Sequence, residues 1–109
     1  MFMKLIKNGL IIDNNCVLAE SFFKKLIGKT FSDKTFCLKN CNSIHTIFLK
    51  KQIDVLFLSS GNEVIKIVEN LPPNVVIFPV KDAKHVIEFN AGFVKSAKIN
   101  LGDILHFEK

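Results

Sequence analysis

Apolar and polar residues alternate along most of this chain in short runs, the pattern of strands half-buried in a sheet rather than of long amphipathic helices. Lys4-Leu-Ile-Lys7 and Leu10-Ile-Ile12 flank Asn8-Gly9. An Asn-Gly pair between two such runs predicts a tight hairpin, because both residues accept the positive φ that its turn requires. Asp13-Asn14-Asn15 predicts a second turn, and Cys16-Val-Leu-Ala19 a third strand or the approach to a helix. Over residues 20–27 the period changes. Phe22, Phe23, Leu26 and Ile27 recur at helical spacing, with Ser21 placed to cap and Gly28 to stop the segment. Two helical turns are not stable alone, so this helix is expected to pack its apolar face on a sheet.

Further strands are predicted over residues 35–38, 44–49, 53–58 and 64–68, with Ser59-Ser60-Gly61-Asn62 turning the last two into a hairpin. Pro72-Pro73 breaks the chain, because proline lacks a ladder donor and fixes φ. A strand over 75–80 follows, and its Pro79 places it at an edge. Residues 86–89 form another strand, closed by Asn90-Ala91-Gly92, and Gly102-Asp103 turns the chain into a last one over 104–107. About eight short strands with one short helix packed on them give a mainly β fold (α+β by content), a small β sandwich or barrel-like architecture. No linker or repeat interrupts it, and a boundary at Pro72-Pro73 would leave pieces too small for separate cores, so residues 1–109 are expected to form a single domain.

Composition supports a core without staples. Hydrophobic residues make up 49% of the chain and include eleven phenylalanines, each worth roughly 1.5–3 kcal/mol when buried. No unbroken apolar run exceeds a few residues, Val55-Leu-Phe-Leu58 being typical, so no membrane helix is expected. The N-terminal Met-Phe-Met-Lys-Leu-Ile-Lys hints at an export signal, but Lys4 and Lys7 interrupt it and no small-residue cleavage site follows. Three cysteines, an odd number, then read as reduced thiols of a cytoplasmic protein.

Net charge is +5, and every cation is lysine. Arginine, the usual bidentate reader of guanine and phosphate, is absent, and the lysines are dispersed among acids, so no nucleic-acid partner is expected.

Three constellations could carry chemistry. Asp54 sits in a run that is apolar on both sides, so its carboxylate must find a partner, and His45 or Thr46 is the nearest candidate. A His45–Asp54 pair could serve as a general base, although a structural hydrogen bond is the more economical reading. With residues 49–52 as a four-residue loop, strand parity puts His45 and Asp54 on one face and Thr46 on the other. Cys37, Cys41 and His45 fall at intervals of four, but without the paired Cys pincers of a zinc site, so no metal is expected and Cys41 is at most a binding contact beside Thr46. Glu88, between Ile87 and Phe89, could form an acid/base pair with Asp54, or a plain ion pair with a lysine. No phosphate-cradling glycine motif is present, and no cofactor is expected.

Ser43-Ile-His-Thr46 followed by Ile53-Asp-Val-Leu-Phe57 resembles the bacterial and archaeal family catalogued as domain of unknown function 192. The short helix ending in Gly28, the strand end Val86-Ile-Glu-Phe-Asn-Ala-Gly92 and the Gly102-Asp103 turn agree with it. Leu49, Lys51, Gln52, Lys25 and Lys29 depart from the family pattern without touching His45, Thr46 or Asp54. The resemblance implies a small, mostly β fold and no established activity. The sequence thus favours a non-enzymatic binding or accessory module for a protein or small-molecule partner, with a small hydrolase or isomerase using His45 and Asp54 or Glu88 as the alternative.

Overall fold

A computed structural model describes residues 2–19, 34–47 and 49–109. Nine strands and one short helix follow one another along them: β1 (Phe2–Lys7), β2 (Leu10–Ala19), β3 (Thr35–Lys39), β4 (Ile44–His45), β5 (Ile53–Leu58), β6 (Val64–Leu71), β7 (Val76–Ile77), β8 (His85–Asn90), α1 (Phe93–Ser96) and β9 (Leu105–Glu108). The helix expected over 20–27 lies outside the described residues. Seven strands form one sheet in the order β6-β5-β8-β3-β2-β1-β9, and β4 and β7 form a separate two-stranded ribbon. Within the large sheet β2 and β3 run parallel and the other neighbours antiparallel.

Local chemistry explains most of the turns. Asn8 and Gly9 both take positive φ, 52° and 77°, and join β1 to β2 as the Asn-Gly pair predicts. Asp13-Asn14-Asn15 does not turn the chain. The ladder to β1 resumes on both sides of it, with Met3 opposite Cys16 and Leu5 opposite Asp13, so an extra residue is accommodated as a bulge. Asp13 holds that bulge by accepting the Asn15 N–H (2.8 Å) and the Thr35 hydroxyl. The strand expected over 44–49 is only two residues long, because Thr46 turns away to bond the loop beyond Pro72-Pro73. Its expected partner is also wrong: β4 pairs with β7, Ile44 opposite Ile77 and His45 opposite Val76, while β5 lies in the other sheet between β6 and β8.

The large sheet curls into a half-barrel. Its two edges approach at one end, where Glu63 bridges Ile104, the Val64 N–H donates to the Asp103 carbonyl (2.8 Å) and the Leu105 N–H to the Asn62 carbonyl (3.1 Å). Inside the curl, Leu5, Cys16, Cys37, Leu56, Leu58, Ile87, Phe89 and Leu105 form one core with Val94 of α1. Phe89 and Phe93 stack with ring centroids 4.5 Å apart, seating the helix on the strand that leads into it. The opposite face carries a second core of Phe36, Leu38, Val55, Phe57 and Val86, covered by Ile44, Leu49 and Ile77 of the ribbon and its loops. Strand β5 is buried at every position because it serves both cores.

Candidate functional site

Asp54, the second residue of β5, is wholly buried, and its carboxylate is met by main chain rather than by His45 or Thr46. Oδ1 accepts the Asn70 N–H at 2.9 Å; Oδ2 accepts the N–H groups of Gly92 and Val94, each at 3.0 Å. Gly92 and Val94 are the N-cap and second residue of α1, so a side chain from a remote strand fills the role that a local Ser or Asp usually plays at a helix start. Gly92 can offer its N–H there because it takes φ +92°. On the other side, the register of β5 against β6 slips between Ile53 and Val55, and Asn70, at φ 54°, lies in the slipped segment. A single carboxylate therefore joins the β6 irregularity to the β8–α1 turn. Three charge-assisted N–H bonds compensate the loss of water that burial imposes.

Thr46 performs a similar task in the ribbon. Its hydroxyl donates to the Pro72 carbonyl (2.7 Å) and accepts the Val75 N–H (2.8 Å), fixing the chain on either side of Pro73 and Asn74. His45 stands on the ribbon opposite Val76, whereas Asp54 points into the half-barrel with Phe89. Because β4 and β5 do not pair, the hairpin parity that would place His45 and Asp54 on one face has no basis in this fold. Glu88 is wholly buried too, but it lies opposite Val55 while Asp54 lies opposite Phe89. Adjacent residues of a strand face opposite sides, so the two carboxylates are separated by the sheet itself.

The cysteines are also divided. Cys37 belongs to the inner core, Cys41 packs against the outer one, and His45 lies on the ribbon. No group of three metal-binding side chains converges among the described residues. Burial pushes the Cys37 thiol up to about 11, and Cys16 higher still, with Cys37 beside it, so both are poor nucleophiles. Cys41, half-buried, donates its thiol to the Ser43 carbonyl (2.9 Å) and rims a shallow depression of about 180 Å³ with Asn40, Asn42, Ala83 and Lys84. A larger open cleft of about 1100 Å³ lies beside β6 and α1, floored by Ile67, Val94 and Ile99 and edged by Glu69, Lys95 and Lys98.

His85 was not a sequence candidate. Its Nδ1 accepts the Asn40 N–H at 3.3 Å, and its pKa is lowered by burial first and by Lys39 and Lys84 second. Only the register, which sets Lys39 directly opposite His85, discloses this arrangement.

A curled seven-stranded sheet with a buried, cross-strand aspartate and a ribbon over its outer face defines a small half-barrel protein. The chain belongs to the family catalogued as domain of unknown function 192 and described as "Uncharacterized ACR", which matches residues 32–107. It is 32% identical over 94 residues to a UPF0127 protein of Pyrococcus horikoshii, covering 79% of this chain and 81% of that one. Two crystal structures share the fold. A protein of unknown function from Novosphingobium aromaticivorans aligns with a TM-score of 0.75 at 16% identity, over 95% of this chain and 82% of that one. A Sinorhizobium meliloti protein named for a suspected role as a transcription regulator aligns at 0.77 and 23% identity, over 96% and 91%.

Two outcomes are expected. Asp54→Asn keeps the shape but replaces one acceptor oxygen by a donor facing N–H groups, and should cost about 3–5 kcal/mol in urea unfolding. A loss below about 1 kcal/mol would show that the carboxylate is not the tie described. For His85, the folded imidazole binds a proton less readily than the unfolded one, so its share of stability is full above the unfolded pKa of about 6.5 and falls as pH drops through it. The urea midpoint should therefore decline less between about pH 7.5 and about pH 5.5 in His85→Gln than in the parent chain, and parallel declines would exclude His85 as a source of acid sensitivity.

Proposed function

We propose that this chain is a non-enzymatic binding or accessory domain, folded as one unit and working in the cytoplasm. The reading is carried by one observation: both oxygens of Asp54 are occupied by backbone N–H groups that hold the fold together, and Glu88 lies on the other side of the same sheet. Asp54 and Glu88 therefore do not reach one reacting atom as an acid/base pair. Thr46, whose hydroxyl ties two ends of the ribbon, supports a presented surface more readily than a reaction. Cys41, at the edge of its depression, is a contact residue on this reading. No helix among the described residues is long and apolar enough to cross a membrane, which agrees with a domain that meets its partner in water. The Sinorhizobium neighbour's name raises DNA as a partner. The lack of arginine argues instead for a protein or small molecule.

Assays of the purified chain with nitrophenyl esters, phosphates and glycosides test this directly. The expected result is no turnover that depends on His45 or Glu88. Turnover that falls about a hundredfold in folded His45→Ala or Glu88→Gln would instead establish the hydrolase reading.

A further inference from the structure

Among the described residues, the ribbon leaves one backbone edge without a neighbour. The Thr46 N–H donates to the Val75 carbonyl (2.8 Å), the Val80 N–H to the Asn42 carbonyl (2.9 Å), and Ile44 lies directly opposite Ile77. Residues 75 and 77 thus turn their main-chain groups toward β4, and alternation turns those of Val76 and Phe78 away from it. Among the described residues nothing pairs with that outer edge. The side chains follow the same alternation: Val75 and Ile77 pack into the outer core, while Val76 and Phe78 are 50% and 78% exposed. Pro73 before the edge and Pro79 after it restrict any added strand to a few residues.

Charge selects the occupant. Residues 40–52 and 72–84, which make up the ribbon and its flanking loops, hold Lys50, Lys51, Lys81 and Lys84 against Asp82, a net +3 of the chain's +5. Edge-to-edge pairing of two copies would bring segments of like net charge together, which discourages that association. An extended segment with acidic residues meets the opposite condition, and apolar residues at its alternate positions would cover Val76 and Phe78. We propose that the outer edge of residues 76–78 docks an extended, acidic segment of a partner protein, added as a third strand of the ribbon. This rests on the binding-domain reading and names its partner class.

The test is an NMR titration of the isotope-labelled full chain with the acetylated peptide amide Glu-Val-Glu-Val-Glu. Lys-Val-Lys-Val-Lys and a DNA duplex of about 20 base pairs serve as the comparisons. The acidic peptide should shift the Val76 and Phe78 amides and slow their solvent exchange about tenfold at about 1 mM. Phe78→Ala should weaken binding about tenfold, and Val76→Pro, which removes an outward N–H but none of the bonds to β4, should abolish it. The triple variant Lys50→Glu, Lys81→Glu, Lys84→Glu should reverse the preference toward the lysine peptide. Unchanged Val76 and Phe78 amides, equal response to both peptides, or DNA binding at these residues in place of the acidic peptide would each overturn the proposal. Such a result leaves the binding-domain reading standing, since only side-chain-dependent turnover removes that.

Discussion

One buried carboxylate constrains much of this structure. Asp54 lies in a strand that serves two cores, where an unpaired charge would cost several kcal/mol. Its three N–H partners come from the slipped end of β6 and from the start of α1, segments more than twenty residues apart in sequence. The bonds fix where the sheet edge bends and where the chain leaves β8 to re-enter the inner core. Val94 and the Phe89–Phe93 stack then fill the half-barrel from that point. Thr46 repeats the device on the outer face, where one hydroxyl ties β4 to the loop that begins β7. Asp54 and Thr46, both buried, thus act as ties between backbone segments.

The two faces of the sheet consequently have different roles. The inner face is packed with aliphatic and aromatic side chains, closed by α1 and by main-chain bonds between the sheet edges. The outer face carries a thin ribbon whose second edge is unpaired among the described residues and whose flanking loops carry a net +3 of the chain's +5. Each face has its own buried core. The ribbon can present main-chain groups to a partner because the layer beneath, anchored by Val55, Phe57 and Val86, holds it in place. The shared fold with proteins of distant sequence shows that this architecture tolerates wide change in side chains.

The sequence discloses what depends on local chemistry. Asn8-Gly9, the 59–62 turn, the Pro72-Pro73 break and the edge position implied by Pro79 are all legible because each residue type restricts its own backbone. The doubly buried strand around Asp54 is legible too, since its neighbours are apolar on both sides. What escapes is long-range pairing. Ile44 and Ile53 are close in sequence and read as a hairpin, yet their strands lie in different sheets, because β5 gains more by joining β6 and β8 at the centre of both cores. The partners of Asp54 are main-chain N–H groups, which every residue possesses, so no side-chain pattern could name them. Asp13-Asn14-Asn15 misleads for the related reason that residues suited to turns are equally suited to bulges. Alpha-1 is one turn long and leaves no periodic signal.

Amide hydrogen exchange measures the central tie most directly. If Asp54 holds the fold as described, the amides of Asn70, Gly92 and Val94 exchange slowly in the native chain. In Asp54→Asn all three should accelerate together, by about a hundredfold or more. Protection of Gly92 and Val94 that survives the substitution, or acceleration at Asn70 alone, would contradict the claim that one carboxylate joins the sheet edge to the helix start.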